Sequence, residues 1–417
     1  MKKQNEVILG KKMGAEEDVL FKGNSRKLNT LLLGATGHGK EAFVIHPLLK
    51  QDMANKEMNI TVFDPIGTTA ETAYALAKSN RRNVLYFNPL FKDMKFNPLK
   101  GNEEDAIWNM EEMIRAQFNG QPQFFISMYE LVIRYTIKML NALHGNNIIM
   151  KDVNDFLWNQ DRRGFKSLMN YRRMKNHDDF IVTFLTDYLD NNSKTYEHCA
   201  GLRMLFLNIT TSKIGYIFDT KEEGDFIELD FSSNYDNYDV LIINTQSRQI
   251  GMDIGRALNS LISTSYKNAI MAGTCKKEQH LYIKELFYYL RNFEPLLSLS
   301  QQLGLSILAE TQNISILNLY VREYVTNNLF TQFQNFIILP GVSMEDVSKI
   351  QQFILPAKEA DSIRFLSNGE MYYYLLDEEE DGFRIKGKAK GIPLEDSEQQ
   401  FLDKRMKRYQ KEFQKRY

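Results

Sequence analysis

One stretch constrains this chain more than any other. Gly34-Ala35-Thr36-Gly37-His38-Gly39-Lys40 follows an apolar run, Leu28 to Leu33, and opens an amphipathic one, Lys40 to Met53. This is the GxxxxGK pattern in the context that gives it meaning: strand, glycine-rich loop, helix. Glycines let successive backbone N–H groups converge on phosphate oxygens. The helix N-terminus adds partial positive charge. Lys40 stands where a side chain would reach the terminal phosphates. The candidate nucleotide contacts are therefore Gly34, Ala35, Thr36, Gly37, His38, Gly39, Lys40 and Glu41. ATP or another nucleoside triphosphate is the ligand this pattern implies.

The pattern breaks at its next position. A Ser or Thr should follow the lysine and hold Mg²⁺ through its hydroxyl. Glu41 stands there instead. Hydrolysis also needs a strand that ends in acids. Leu281-Tyr282-Ile283-Lys284-Glu285 has that shape, but Lys284 replaces the first acid. An acid and a base have thus replaced two side chains that would meet at one metal ion. The economical expectation is a Glu41–Lys284 salt bridge in place of the metal, with Mg²⁺ coordination disfavoured.

The first third of the chain alternates strand-like runs (Leu28–Leu33, Asn59–Phe63, Asn83–Phe87) with helix-like ones (Lys40–Met53, Thr68–Ser79), the spacing of parallel βαβ units. From Glu103 the apolar period lengthens to three and four: Ile107, Met110, Ile114 and Phe118, then Met128, Val132, Tyr135, Met139 and Leu143. Strand-like runs return at Asp239–Asn244, Gln279–Ile283, Leu305–Ala309 and Asn335–Leu339. The predicted fold is α/β, a P-loop sheet of about seven core strands with an inserted all-α domain. The expected divisions are 1–102 and 211–345 for the two parts of the nucleotide-binding domain, 103–210 for the helical insertion, and 346–417 for a C-terminal extension. That extension begins with a hairpin-like segment, Gly369–Leu376, broken by the acidic run Asp377–Asp381. It ends in Asp403–Tyr417, with seven Lys/Arg against two acids, expected to be a projecting basic helix.

Composition excludes several classes. With 12% aromatic and 43% apolar residues the chain can build a core and is not disordered. Two cysteines, Cys199 and Cys275, cannot make a disulfide scaffold, and the six histidines show no zinc spacing. No apolar run is long enough to span a bilayer and no secretory leader is recognisable. A net charge of −1 excludes a globally basic nucleic-acid binder but not a local patch. Arg162, Arg163, Lys166, Arg172, Arg173 and Lys175, interleaved with Trp158, Phe165 and Tyr171, form such a candidate patch for single-stranded nucleic acid. A solvated helix face is the alternative.

Several motifs taken in order resemble the type IV coupling proteins, the conjugative DNA-transfer ATPases. Asn59-Ile60-Thr61-Val62-Phe63-Asp64-Pro65-Ile66-Gly67 is similar to that family's second-strand signature, with Ile66 in place of a lysine. Asn83–Pro89 and Phe96-Asn97-Pro98-Leu99 resemble its third strand and following loop. The Lys284-Glu285 strand resembles its Asp-Glu strand. Leu305–Gln312 (LSILAETQ) resembles the strand that ends in a phosphate-sensing glutamine. Gln301-Gln302-Leu303-Gly304 departs from an Arg-Gly pair common there. The resemblance covers roughly residues 28–340. It implies a RecA-like motor domain in a homo- or hetero-oligomeric ring, with Lys40 the phosphate lysine, Glu285 the catalytic carboxylate and Gln312 the sensor. The implied partners are single-stranded DNA or a relaxase–DNA complex, and type IV secretion components. The implied location is the cytoplasm, with peripheral attachment at the inner face of the membrane. Because both metal-binding positions are changed, the expected function is a coupling-protein-like subunit with lost or weakened ATP hydrolysis. The alternative is an active DNA-translocating ATPase with unusual metal ligation. A small-substrate P-loop kinase is disfavoured, since no Arg-rich lid segment follows the loop.

Overall fold

The computed structural model describes residues 6–21, 23–221, 224–319, 328, 331–353, 362–376 and 384–416. The acidic run Asp377–Asp381 lies outside them. The described residues form two compact units.

The first unit comprises 1–87, 235–244 and 270–415. Among the described residues its centre is a sheet of eleven strands, ordered β2-β1-β13-β12-β11-β3-β10-β9-β4-β8-β5. The strands are β1 Val7–Lys12, β2 Asp18–Phe21, β3 Thr30–Leu33, β4 Asn59–Asp64, β5 Val84–Phe87, β8 Val240–Asn244, β9 Gln279–Ile283, β10 Leu305–Thr311, β11 Asn335–Ile338, β12 Glu370–Leu376 and β13 Arg384–Lys390. The seven from β11 to β5 are parallel. Every residue of β3, β4, β8, β9, β10 and β11 is buried, which is why these strands read as mostly apolar runs rather than alternating ones. β12, β13, β1 and β2 extend the sheet antiparallel. The hairpin-like segment at 369–376 is therefore part of the main sheet, paired in register with Arg384–Lys390.

Two helices of this unit position the site. After β3 the chain passes through a π-helical turn, Glu41–Ile45, before α1, His46–Ala54. After β4 it enters α2, Thr68–Ser79. Asp64 fixes that entry: its buried carboxylate accepts from the Ile66, Gly67 and Ala70 amides, each at 2.9 Å. Gly67, at φ 106°, makes the turn that an L-residue would resist.

The basic C-terminal helix, Asp396–Gln414, does not project. Leu402, Met406 and Phe413 are buried, and Tyr74 of α2 meets the rings of Tyr409 and Phe413 at 5.0 and 5.2 Å. Lys404, Lys407, Arg408, Lys411 and Lys415 remain exposed.

The second unit comprises 88–234, 245–269 and 416–417, wider than the 103–210 insertion read from periodicity. It holds the short pair β6 Met94–Lys95 and β7 Ile227–Glu228 and the helices α3 Glu103–Gln117, α4 Gln123–His144, α5 Met150–Trp158, α6 Arg163–Arg172, α7 Asp179–Leu189, α8 Lys194–His198 and α9 Ala200–Thr210. Helix α4 turns Tyr129, Val132, Ile133, Ile137 and Leu140 inward, so Met128, Tyr135 and Leu143 are only half-buried. Among the described residues no helix is long and apolar enough to cross a membrane.

Candidate functional site

The C-terminal ends of four adjacent strands, β3, β10, β9 and β4, bring the candidate residues together in the first unit. Open α/β sheets collect ligands at this edge.

The loop after β3 is built by close backbone approach. Gly37 and Gly39 have φ of 83° and 82°. A Cβ on Gly39 would come within 2.4 Å of the Phe43 ring, and one on Gly341 within 2.6 Å of the Ala35 methyl, while one on Gly37 would meet nothing within 4 Å. The loop thus rests on its own helix and on the turn after β11, and opens at Gly37. His38 is half-buried, its Nδ1 3.2 Å from Thr36 O. Lys40 is buried and folds back: its Nζ donates to Gly34 O at 2.6 Å and Ala35 O at 3.3 Å, and lies 3.3 Å from Glu310 Oε1.

Glu41 and Lys284 form an ion pair. The Lys284 side chain is 8% exposed and that of Glu41 36%. Thr68 joins them, its Oγ1 2.8 Å from Glu41 Oε1 and 2.5 Å from Lys284 Nζ, and Thr69 Oγ1 lies 3.4 Å from the same carboxylate. Burial lowers the Lys284 pKa, against the opposing pull of Glu310 and Glu285.

Glu285 and Gln312 are also brought together. Gln312 Nε2 donates to Glu285 Oε1 at 3.0 Å, while Glu285 Oε2 is buried with no partner among the described residues. Glu285 is buried and holds a left-handed backbone, φ 55°, strained for a residue with a Cβ and often found where a side chain must be aimed.

One member was not foreseen from the sequence. Glu310 lies inside β10, 2% exposed, with Oε2 lacking a partner among the described residues. Burial pushes its carboxyl up to about 7, Lys40 and Lys284 pull it down, and Glu285 adds to the rise. The available signal was an acid in a mostly apolar central strand, beside a phosphate loop.

The fit to ligand differs for phosphate and for metal. The glycine loop, the helix start and Lys40 suit phosphate oxygens. The place between residues 41 and 284, where a metal would need a hydroxyl and a carboxylate, is taken by the Lys284 ammonium, which a divalent cation would repel. Among the described residues no three His, Cys, Asp or Glu side chains group to hold a metal.

The basic patch belongs to the second unit. Arg162, Arg163, Arg172 and Arg173 are all exposed. Arg163 pairs with Asp155 at 3.1 Å, and Arg162 lies over the Phe165 ring. Of the three interleaved aromatics, Phe165 lies beside the arginines, while the other two turn away. Tyr171 is buried, its hydroxyl accepting from the Asp178 amide, and Trp158 is half-buried, donating to Arg203 O. Helical periodicity turns these rings toward the bundle while the charges face water.

No family model matches this sequence, and no curated protein matches it. Solved structures do match. The unbound form of the bacterial conjugative coupling protein TrwBdeltaN70 is 18% identical, with a TM-score of 0.64, covering 95% of this chain and 89% of that one. The plasmid coupling protein TrwB in complex with ADP and Mg²⁺ is 17% identical, with a TM-score of 0.62, covering 95% and 91%. VirB4 of Thermoanaerobacter pseudethanolicus is 14% identical, with a TM-score of 0.64, covering 93% and 97%. At 14–18% identity such likeness speaks to architecture: this chain has the α/β P-loop fold of the conjugative coupling protein TrwB and of VirB4.

Proposed function

We propose that this chain is a type IV coupling-protein-like component of conjugative DNA transfer or type IV secretion. It binds a nucleoside triphosphate at Gly34–Glu41 and hydrolyses it slowly or not at all. The observation that carries the second half is the Glu41–Lys284 ion pair, which puts a fixed protein cation where an intact enzyme recruits Mg²⁺. Phosphoryl transfer in P-loop enzymes depends on a metal bridging the β- and γ-oxygens. A lysine can screen phosphate charge, but it is a single charge on a flexible stem. The likeness to TrwB, whose solved structures include complexes with ADPNP, with GDPNP and with ADP and Mg²⁺, supports nucleotide binding by this chain.

In this reading the subunit works in a homo- or hetero-oligomeric ring, with single-stranded DNA or a relaxase–DNA complex and type IV secretion components as partners. Arg162, Arg163, Arg172 and Arg173 are the proposed DNA contacts, and residues 103–210 the proposed substrate-facing domain. The C-terminal helix would hold the subunit at an anionic membrane surface, at about 1 kcal/mol for each Lys or Arg near it.

A second reading, an active DNA-translocating ATPase with unusual metal ligation, is favoured by one feature: Glu285 and Gln312 keep the contact that a catalytic carboxylate and its sensor would need. ATP turnover with Mg²⁺, with and without single-stranded DNA, separates the two. The first reading expects turnover that is absent or slow and is not raised by single-stranded DNA. The second expects DNA-stimulated turnover that Lys40→Ala abolishes.

A further inference from the structure

An ammonium has three N–H donors. Those of Lys40 face inward, toward Gly34 O, Ala35 O and Glu310 Oε1. Two of these acceptors are the loop's own carbonyls, and the third is a carboxylate from the neighbouring strand, Glu310 lying in register with Leu32 of β3. So the side chain that should meet phosphate is held against the floor of its own loop.

We propose, building on the reading of Gly34–Glu41 as a nucleotide site, that Glu310 is a positioning residue: ionised, it latches Lys40 away from phosphate, and nucleotide binds to the form in which Glu310 has taken up a proton from solvent.

Three observations support this. First, the charges facing Glu310 are Lys40 from the loop helix and Lys284 and Glu285 from the end of β9, with Glu41 beyond them on Lys284. With Glu310 ionised, these two cations face three carboxylates. With Glu310 protonated, the charges balance. A triphosphate entering the site therefore favours the protonated form. Second, only one Glu310 oxygen is engaged. Oε2 is buried without a partner among the described residues, which suits a protonated carboxyl better than an ionised one. Third, burial places the Glu310 carboxyl near neutrality, at about 7, so the exchange needs no extreme of pH. Protonation would free Lys40 from its carboxylate partner while leaving the carbonyl bonds, which a charged phosphate can outcompete.

The direction of the pH effect follows. Binding takes up a proton wherever free Glu310 is ionised, so affinity falls as pH rises above about 7. The limit is about tenfold per pH unit.

The test is titration of the full chain with mant-ATP in EDTA from pH 6 to 8.5, comparing wild type with Glu310→Gln. The substitution keeps the shape and removes the charge. The expected result is a wild-type affinity that falls with pH relative to the variant, and a variant that binds roughly tenfold more tightly at pH 8. The same pH profile in both proteins would overturn the latch and leave nucleotide binding standing. If neither protein binds mant-ATP, the nucleotide reading fails. The hold on Lys40 is then judged by carboxyl ¹³C NMR of the ligand-free chain. A carboxyl that titrates near neutrality and moves upward in Lys40→Ala supports it, and the absence of such a carboxyl overturns it.

Discussion

Glu41 and Lys284 are paired across the site, and the Thr68 hydroxyl lies on both partners, 2.8 Å from the carboxylate and 2.5 Å from the ammonium. The partners are unequally buried, at 36% and 8% side-chain exposure. Removing Glu41 leaves Lys284 still facing Glu310 and Glu285, whereas Lys284→Asp removes the buried cation and sets a new carboxylate among theirs. Lys284→Asp should therefore destabilise more than Glu41→Thr. Breaking a fully buried pair costs about 3–5 kcal/mol, and the partial exposure of Glu41 lowers that expectation. The double variant should cost less than the sum of the singles, with a coupling of about 0.5–3 kcal/mol in a urea-denaturation cycle. Strict additivity would mean that the two groups do not interact.

The contact between Gln312 and Glu285 predicts a second stability effect. Gln312→Ala would leave both oxygens of a buried carboxylate without that donor. Stranding a buried polar group costs roughly 1–3 kcal/mol. Chemical denaturation of the variant should show a loss of that size. A shift within error would place water on Glu285 already.

Glu310 makes ligand-free stability depend on pH. Its folded-state pKa is raised from 4.5 to about 7, so the folded chain holds the proton that the unfolded chain releases. This contribution is fully present below about pH 4.5 and is lost as pH rises through about 7, amounting to about 3 kcal/mol at most. Denaturation midpoints of wild type and Glu310→Gln, followed from pH 4.5 to 8, should diverge, with the variant gaining relative to wild type as pH rises. Parallel curves would contradict the raised pKa.

For nucleic acid, replacing Arg162, Arg163, Arg172 and Arg173 with alanine should weaken single-strand binding and flatten its salt dependence. Each lost phosphate contact removes about 0.7 from the log–log slope. Because Tyr171 and Trp158 are turned into the bundle, affinity should differ little between base sequences of equal length. Unchanged affinity and slope would leave the patch as a solvated surface.

Much of the sheet was legible because its strands are buried on both faces. Gln279–Ile283 and the helix Thr68–Ser79 can be read to the residue from apolar runs bounded by charged, Gly or Asn punctuation. The strands β1 and β2, at one end of the sheet, were not legible. Val7–Lys12 carries a glycine and two lysines, and its pairing with β2 and with β13, the latter distant in sequence, makes it a strand. The C-terminal helix was read by its charge, although Leu402, Met406, Tyr409 and Phe413 already mark a docking face at spacings of three and four. At the site, residues in the phosphate loop and at strand ends announce themselves by motif. Glu310 does not, because its significance lies in Lys40 and Lys284, which only the folded sheet sets beside it.

The central claim is that a protein ammonium stands in for the metal at this phosphate loop. Nucleotide binding and turnover measured with Mg²⁺ and again in EDTA, on wild type and Lys40→Ala, test it most directly. The account predicts that wild type binds mant-ATP in EDTA about as well as in Mg²⁺, that Lys40→Ala loses this binding, and that turnover is absent or slow and no faster with Mg²⁺ than in EDTA. ATP hydrolysis that rises with Mg²⁺ and disappears in Lys40→Ala would contradict it.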